Sequence, residues 1–284
     1  MDSSKPILLI DTSYNSFYRF HATVFWFKKA HAEEYKKIKS IEEETKKEYE
    51  WINNKIFMDK FKLMYLKGIE AVLSKYKLDI PYQNFIFGLD CSRKDIWRRK
   101  LYPTYKIQRD YTNWSGCAVL KYAHSILLQE LSKKYNINIL IQSHLEADDI
   151  LAITKKYIRE KTPKKEVIII TNDNDYLQLI DNHTLIINLQ KKLLNDRSCG
   201  DAKKDLLIKI LCGDPADNIK GCFKRCGIKT ATKYCNNYKL LENAFIKNPE
   251  SKGIYKLNRT LIDFSFIPEE LQKKVLIKIK TIIK

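Results

Sequence analysis

The run Val167-Ile168-Ile169-Ile170-Thr171 passes directly into Asn172-Asp173-Asn174-Asp175. A strand wetted on one face alternates apolar and polar residues, whereas a continuous β-branched run reads as a strand buried on both faces. The pattern recurs twice. Pro6-Ile7-Leu8-Leu9-Ile10 stops at Asp11, and Phe85-Ile86-Phe87-Gly88-Leu89 stops at Asp90. Parallel sheets bury both faces under helices and take ligands beyond the carboxyl ends of their strands. The three runs therefore predict an α/β fold in which each strand delivers a carboxylate to one edge.

The segments between them read as helices. Residues 55–76 carry the apolar stripe Ile56, Phe57, Met64, Leu66, Ile69, Val72 and Leu73, the signature of a packing helix. Residues 28–50 are densely charged, with Glu42–Lys46 and Glu43–Lys47 at favourable i,i+4 spacing. They read as a solvated helix or insertion without chemistry. Further helices are expected over roughly 117–135 and after His144-Leu145-Glu146-Ala147-Asp148-Asp149. Beyond about residue 200 the pattern is helical and Gly-punctuated, ending in an amphipathic basic helix from Leu271 to Lys284.

The 284 residues hold 52 Lys and Arg against 34 Asp and Glu, a formal net charge of +18. Such an excess repels itself unless it faces a polyanion, so nucleic acid or an anionic membrane surface is the expected partner. A hydrophobic content of 44% with 12% aromatics excludes a disordered basic tail. No run of about 18 apolar residues occurs, which excludes a membrane-spanning helix. The N-terminus is no signal peptide, and a cytoplasmic location is expected. The seven cysteines include no CxxC pair and only Cys222 and Cys226 lie close together; they read as free thiols of a reducing compartment.

The acidic residues carry the chemistry. Clustered carboxylates are costly unless cations neutralise them, and hard cations such as Mg²⁺ take oxygen ligands while keeping several waters. Glu146 and Asp149 share a helix face with Asp148 beside them, Asp173 and Asp175 alternate on one loop, and Asp214 and Asp217 form another i,i+3 pair. With Asp11 and Asp90 they make nine candidate ligands in five clusters. An isolated Asp at a strand end or helix cap is ordinary; five such clusters on one sheet edge are not. An acidic pit in a basic surface suits metal-assisted phosphodiester cleavage.

A basic and aromatic stretch follows the second strand. From Arg93 to Arg109 there are seven Lys or Arg and one acid, Asp95, with Trp97, Tyr102, Tyr105, Tyr111 and Trp114 interleaved to residue 114. Cations that track phosphates and rings that stack on unpaired bases suit a flexible single strand. Pro103 is expected to split or kink any helix here. Farther on, Asp217-Asn218-Ile219-Lys220-Gly221 through Gly227-Ile228-Lys229-Thr230-Ala231 places Gly-bearing turns between helices, where backbone N–H groups can approach a phosphate.

In this order, Ile10-Asp11, Leu89-Asp90, Glu146-Ala147-Asp148-Asp149, Asp173-Asn174-Asp175 and Gly213-Asp214-Pro215-Ala216-Asp217-Asn218-Ile219 resemble the structure-specific 5′ nucleases. That family includes flap endonucleases and the 5′ nuclease domain of bacterial DNA polymerase I. Trp97-Arg98-Arg99 through Tyr105-Lys106, and Leu261-Ile262-Asp263-Phe264 with Ile267-Pro268, are similar to its branch of T-even-type phage ribonuclease H. The resemblance covers roughly residues 6 to 270. It implies a PIN-like 5′-nuclease fold, α/β with a central mostly parallel sheet flanked by helices. Residues 1–195 would form the nuclease domain, including a helical arch at about 91–118. Residues 196–284 would form a C-terminal helical subdomain with a helix–three-turn–helix element.

The resemblance further implies two Mg²⁺ ions, with Mn²⁺ able to substitute. One would lie around Asp11, Asp90, Glu146, Asp148 and Asp173, the other near Asp173, Asp175, Asp214 and Asp217, and Asp149 would be an outer or shared ligand. A metal-activated water would attack the phosphodiester without a covalent enzyme intermediate. Arg98, Lys106 and Arg109 would contact the scissile phosphate, with Arg99 and Tyr105 beside them on DNA. Gly221, Lys224, Arg225, Gly227, Lys229, Thr230 and Lys233 would grip the duplex. Family members hold K⁺ in this last element; here its usual Gly-x-Gly turn reads Arg225-Cys226-Gly227 with one extra residue in the loop, a departure that bears on the monovalent site. The charged 28–50 segment is a second departure, longer than the family pattern.

The implied activity is a metal-dependent 5′→3′ exonuclease and flap endonuclease acting on DNA and RNA–DNA duplexes with a 5′ end or flap. It would remove RNA primers in replication, in the host cytoplasm if the protein is viral. A single-strand DNA-binding protein and a sliding clamp are expected partners, with no membrane association and a monomeric state. Two other readings are a PIN-like single-strand ribonuclease and a non-catalytic branched-DNA-binding protein. The duplex-gripping element argues against the first, and the full carboxylate set against the second.

Overall fold

The computed structural model describes residues 1–109 and 114–283. The first half contains β1 (Ile7–Asp11), α1 (Thr12–Ala30), α2 (Ala32–Thr45), α3 (Lys55–Lys75), β2 (Phe85–Leu89) and α4 (Trp97–Leu101). Next come α5 (Cys117–Tyr122), a π-helical turn (Ala123–Leu127), α6 (Leu128–Tyr135), β3 (Asn138–Ile141), α7 (Ala147–Lys161), β4 (Val167–Ile170) and β5 (Thr184–Ile187). The C-terminal third is helical: α8 (Ala202–Cys212), α9 (Ile228–Asn236), α10 (Tyr238–Lys247), α11 (Ser251–Ile262) and α12 (Glu269–Ile282).

The strands form one parallel sheet in the order β3-β2-β1-β4-β5. The chain builds outward from β1 through β2 to β3, then returns to place β4 on the other side of β1. Strand order thus reverses between β1 and β4, where open α/β sheets leave a crevice beyond the carboxyl ends. Asp11 ends β1 at that crevice, and Asp173 lies three residues past the end of β4.

Side-chain alternation divides the central strands between two cores. Leu8, Ile10, Phe85, Phe87, Ile168 and Ile170 pack with α1, α3 and the α5–α6 segment. Ile7, Leu9, Ile86, Val167, Ile169 and Ile186 pack with α7 and α12 on the opposite face. Gly88 lets α7 come close to β2: an added Cβ would lie 2.9 Å from the Leu151 side chain and 3.1 Å from the Ala147 carbonyl. This approach sets the start of α7 beside Asp90.

The three continuous apolar runs are strands, and the helices expected at 55–76, 117–135 and after Glu146 are present. In α3 the buried stripe differs from the expected one: Ile56 is 44% exposed and Met64 half-buried, while Phe61, Tyr65 and Met58 join the core. The charged 28–50 segment is the end of α1 followed by α2, which buries Ile38 alone. Two strands, β3 and β5, had no counterpart in the pattern reading. They are four residues long at the sheet edges, and Ile141 and Leu185 are exposed, so neither is a continuous buried run.

Among the described residues the expected helical arch, 91–118, holds a 3₁₀ turn at Arg93–Asp95, the short helix Trp97–Leu101 and the first residues of α5; Pro103 follows α4 and the chain continues in turns to Gln108. Tyr111 lies outside the described residues. The helices after residue 200 have small cores of their own, one joining Leu211, Cys222, Cys226, Ala231, Cys235 and Leu241. Helix α12 instead returns to the sheet layer, burying Leu271, Val275 and Ile279 in the core shared with α7. It thereby crosses back over the boundary expected at 195/196. No described helix is long and apolar enough to cross a membrane, and all seven cysteines are free.

Candidate metal centre and nucleic-acid interface

The site grows from strand ends and helix starts. Asp11 caps α1, accepting from the Tyr14 N–H at 3.0 Å, while its other oxygen accepts from the Thr171 hydroxyl at 3.1 Å. Asp90 accepts from the Ala147 N–H at the start of α7 and from the Ser13 hydroxyl. A helix N-terminus favours negative charge, so α1 and α7 both direct positive dipole ends at the pit. Burial, with Asp90 nearby, pushes the Asp11 carboxyl up to about 6. Asp173 keeps a solvent-exposed edge, yet enclosure of its carboxyl and the charge of Asp175 push it up to about 7.

Two triads of carboxylates are close enough to share a cation. In Glu146, Asp148 and Asp149, and likewise in Asp175, Asp214 and Asp217, one oxygen from each lies within 4.8 Å of the others. Gly213 shapes the second triad: its φ of +71° is left-handed, and an added Cβ would sit 2.6 Å from the Ile219 carbonyl. The chain can therefore close the paired Asp214–Ile219 bridge directly after α8.

Basic and phenolic groups already occupy much of this acidic set. Arg98 is 2% exposed; its guanidinium donates to both oxygens of Asp149 at 2.7 and 2.8 Å, to Glu146 at 3.0 Å, and through Nε to the Leu261 carbonyl at 2.6 Å. Trp97 Nε1 donates to Asp149 at 3.0 Å. The Tyr105 hydroxyl bridges the triads, 3.0 Å from Glu146 and 3.1 Å from Asp217, with its one proton shared between the two carboxyls. Lys106 is ion-paired with both Glu146 and Asp217, and Arg109 with Asp217. Lys209 on α8 spans Asp175 and Asp214, 2.7 Å from each.

Charge balance follows from this geometry. Burial acts to raise Glu146, but Lys106 and Arg98 outweigh it and hold the carboxyl below its ordinary value. On Asp148 the balance goes the other way: burial, then Asp149 and Glu146, outweigh Arg98 and Lys106 and push it well above the carboxylate range. Burial also raises Asp217 despite Lys106 and Arg109. Burial disfavours charge on Lys209, yet Asp175 and Asp214 more than offset this and raise it.

Three expectations change. Arg98, expected on the scissile phosphate, is buried and committed to Asp149 and Glu146, because a guanidinium fork matches two carboxylates held side by side. Tyr105, expected on DNA, is 2% exposed and hydrogen-bonded inside the site. Trp97, part of the interleaved aromatic set, is 4% exposed and packs in the core. Arg99 is half-buried, and Lys106 and Arg109 reach the rim of the pit. Lys209, Ser13, Thr171 and Tyr176 were absent from the expected set. A lysine on a helix is one of many in this chain, and nothing local marks it.

Of the expected duplex contacts, Lys224, Arg225, Gly227, Lys229 and Lys233 are exposed, while Gly221 and Thr230 are half-buried. Gly227 caps α9 with a φ of −89°, and Arg225 carries the left-handed φ of 59°. The positive-φ position of this turn therefore falls on arginine.

Residues 6–204 match the family described as 5′-3′ exonuclease, N-terminal resolvase-like domain. The chain is 28% identical over 219 residues to the 5′-3′ exonuclease of Buchnera aphidicola subsp. Baizongia pistaciae, covering 72% of this chain and 69% of that protein. It is 26% identical over 241 residues to the ribonuclease H of enterobacteria phage T4, covering 78% and 77%. The solved complex of the bacteriophage T5 flap endonuclease with DNA and metal ions shares the fold at a TM-score of 0.63 and 17% identity, covering 97% of this chain and 98% of that one. The T5 5′-exonuclease with bound zinc does so at 0.65 and 16%, covering 98% and 99%. With the matched family spanning the sheet, the carboxylates from Asp11 to Asp175 and the basic segment beside them, the chain belongs to the 5′-3′ exonuclease family.

Proposed function

We propose that this protein is a Mg²⁺-dependent 5′→3′ exonuclease and flap endonuclease. It hydrolyses phosphodiester bonds in DNA and RNA–DNA duplexes bearing a 5′ end or flap, and removes RNA primers and flaps in DNA replication. The observation that carries this reading is the convergence of nine carboxylates from five segments on one sheet edge, in a chain of net charge +18. The donors are all oxygen, which fits a hard cation that keeps part of its hydration. At Asp11, Asp148 and Asp173 burial and neighbouring carboxylates outweigh the nearby cations, so negative charge there is only partly compensated. The names of the phage T4 and T5 relatives support RNA–DNA and flap substrates respectively.

Asp11, Asp90, Glu146, Asp148 and Asp173 would hold one ion, and Asp173, Asp175, Asp214 and Asp217 a second. Bound divalent ions supply a water of lowered pKa and neutralise charge on the leaving oxygen. Asp149 stays with Arg98 and fixes the first turn of α7, so that Glu146 and Asp148 keep their direction. Lys106, Arg109 and Lys209 neutralise carboxylates of the set, and Lys106 and Arg109, at its rim, would be the cations available to a bound phosphate. Lys224, Arg225, Lys229 and Lys233 track the duplex backbone.

Three internally labelled substrates test this: a 5′-flap duplex, an RNA-primed DNA duplex and a single-stranded RNA, each in Mg²⁺ and in EDTA. Metal-dependent short products from the first two, with the third spared, are expected. Cleavage of the third alone would replace the reading with a PIN-like ribonuclease, and silence on all three would leave a binding protein. Asp173→Ala should abolish cleavage and leave DNA binding near normal; retained turnover would refute its place in the metal set.

A further inference from the structure

Tyr176 sits in the short 3₁₀ segment Asn174–Leu179, between Asp175 and the sheet. Its ring is fully buried in the core that contains Leu9, Leu151 and Ile169, edge-on to Phe264 with centroids 6.4 Å apart. Its hydroxyl is buried as well and has no hydrogen-bond partner. Leaving a buried hydroxyl unpaired is unfavourable, and phenylalanine would fill the same space without that cost. The charges that act on this hydroxyl are Asp11, Asp148, Asp173 and Asp90, drawn from four separate segments of the acidic edge. A phenol O–H donates one hydrogen bond, and this one is not made within the protein's described residues. A buried donor without an acceptor, beside the acidic edge, is arranged for something that arrives with oxygen atoms.

We propose that Tyr176 is a positioning residue of the divalent-cation site, its hydroxyl donating a hydrogen bond to an oxygen of the coordination sphere formed at Asp11, Asp148 and Asp173. This rests on the metal reading given above. Groups that orient a metal's ligands through hydrogen bonds typically contribute 10–100-fold to metal affinity.

The test is Tyr176→Phe in the full chain without nucleic acid, titrated calorimetrically with Mg²⁺ and with Mn²⁺ and melted in EDTA. Affinity for the cation should fall about tenfold, while the EDTA melting temperature should equal or exceed that of the wild type because an orphaned polar group has gone. Equal cation affinity for variant and wild type would overturn the assignment and leave the metal reading intact. A lower EDTA melting temperature for the variant would also overturn it, by showing that the hydroxyl has a partner without metal. A wild-type protein that takes up neither cation would remove the metal reading and this inference with it.

Discussion

Arg98 links three parts of the molecule. It belongs to α4 and pairs with Glu146 and Asp149 at the start of α7, and its Nε–H donates to the Leu261 carbonyl on α11. Arg98 and Asp149 are 2% and 0% exposed in their side chains. Arg98→Ala would leave the Asp149 charge buried, with the Trp97 indole and the Glu146 N–H as the remaining donors to its Oδ2 among the described residues. Removing one partner of a buried pair typically costs about 3–5 kcal/mol. At roughly 2 °C per kcal/mol for a chain of this size, the melting temperature should fall by about 6–10 °C. Thermal and urea unfolding in EDTA measure this without interference from bound cations. Much of the loss is the cost of an uncompensated charge, so Arg98→Met combined with Asp149→Leu should recover most of it. A loss for Arg98→Ala within about 1 kcal/mol, the range of an exposed pair, would refute the argument. So would a double variant no more stable than the single one, or turnover lost with stability unchanged, the pattern of a phosphate contact.

Lys209→Met should destabilise the cation-free protein by leaving Asp175 and Asp214 to repel, and added Mg²⁺ should raise its melting temperature more than that of the wild type; an equal increment would mean that this triad takes no cation. Asp11 and Asp173 titrate near 6 and 7 in the cation-free fold, above their value of about 4 in an unfolded chain. The folded state therefore holds extra protons between these limits, and their stabilising contribution, complete below about pH 4, is lost as pH rises through 6 to 7. Urea unfolding in EDTA at several pH values should show that decline weakened in Asp11→Asn, and the same decline in Asp11→Asn as in the wild type would contradict it. Because cations compete with those protons, Mg²⁺ affinity should rise over the same interval with proton release on binding. For duplex binding in Ca²⁺, the logarithm of affinity should fall steeply against the logarithm of salt concentration; a flat dependence would remove the exposed lysines of the α8–α9 turn as phosphate contacts.

Much of the site was legible because its carboxylates sit at ends of elements that local pattern reveals. Asp11, Asp90 and Asp173 terminate or closely follow buried strands, and Glu146, Asp148 and Asp149 open a helix, so strand reading alone brings them to one edge. The edge strands Asn138–Ile141 and Thr184–Ile187 were not legible, since a half-exposed strand of four residues carries too short a pattern to stand out from a loop. The basic segment shows the other limit. Seven cations in Arg93–Arg109 read as a surface that meets phosphate, and composition cannot distinguish one that faces solvent from one folded inward.

What the linear order fixes is the set of chemical types and their placement at strand ends and helix starts, because both depend on neighbours only a few residues away. What tertiary structure alone decides is which of those charges meet. Arg98 finds Asp149 51 residues on and the Leu261 carbonyl 163 residues on, Tyr105 reaches Asp217 across 112 residues, and the Tyr176 hydroxyl is left without a partner. Such pairings follow from the sheet's strand order and the close approach of α7 over Gly88. A buried charge must be met by whichever group the packing brings to it, and no local pattern records that group.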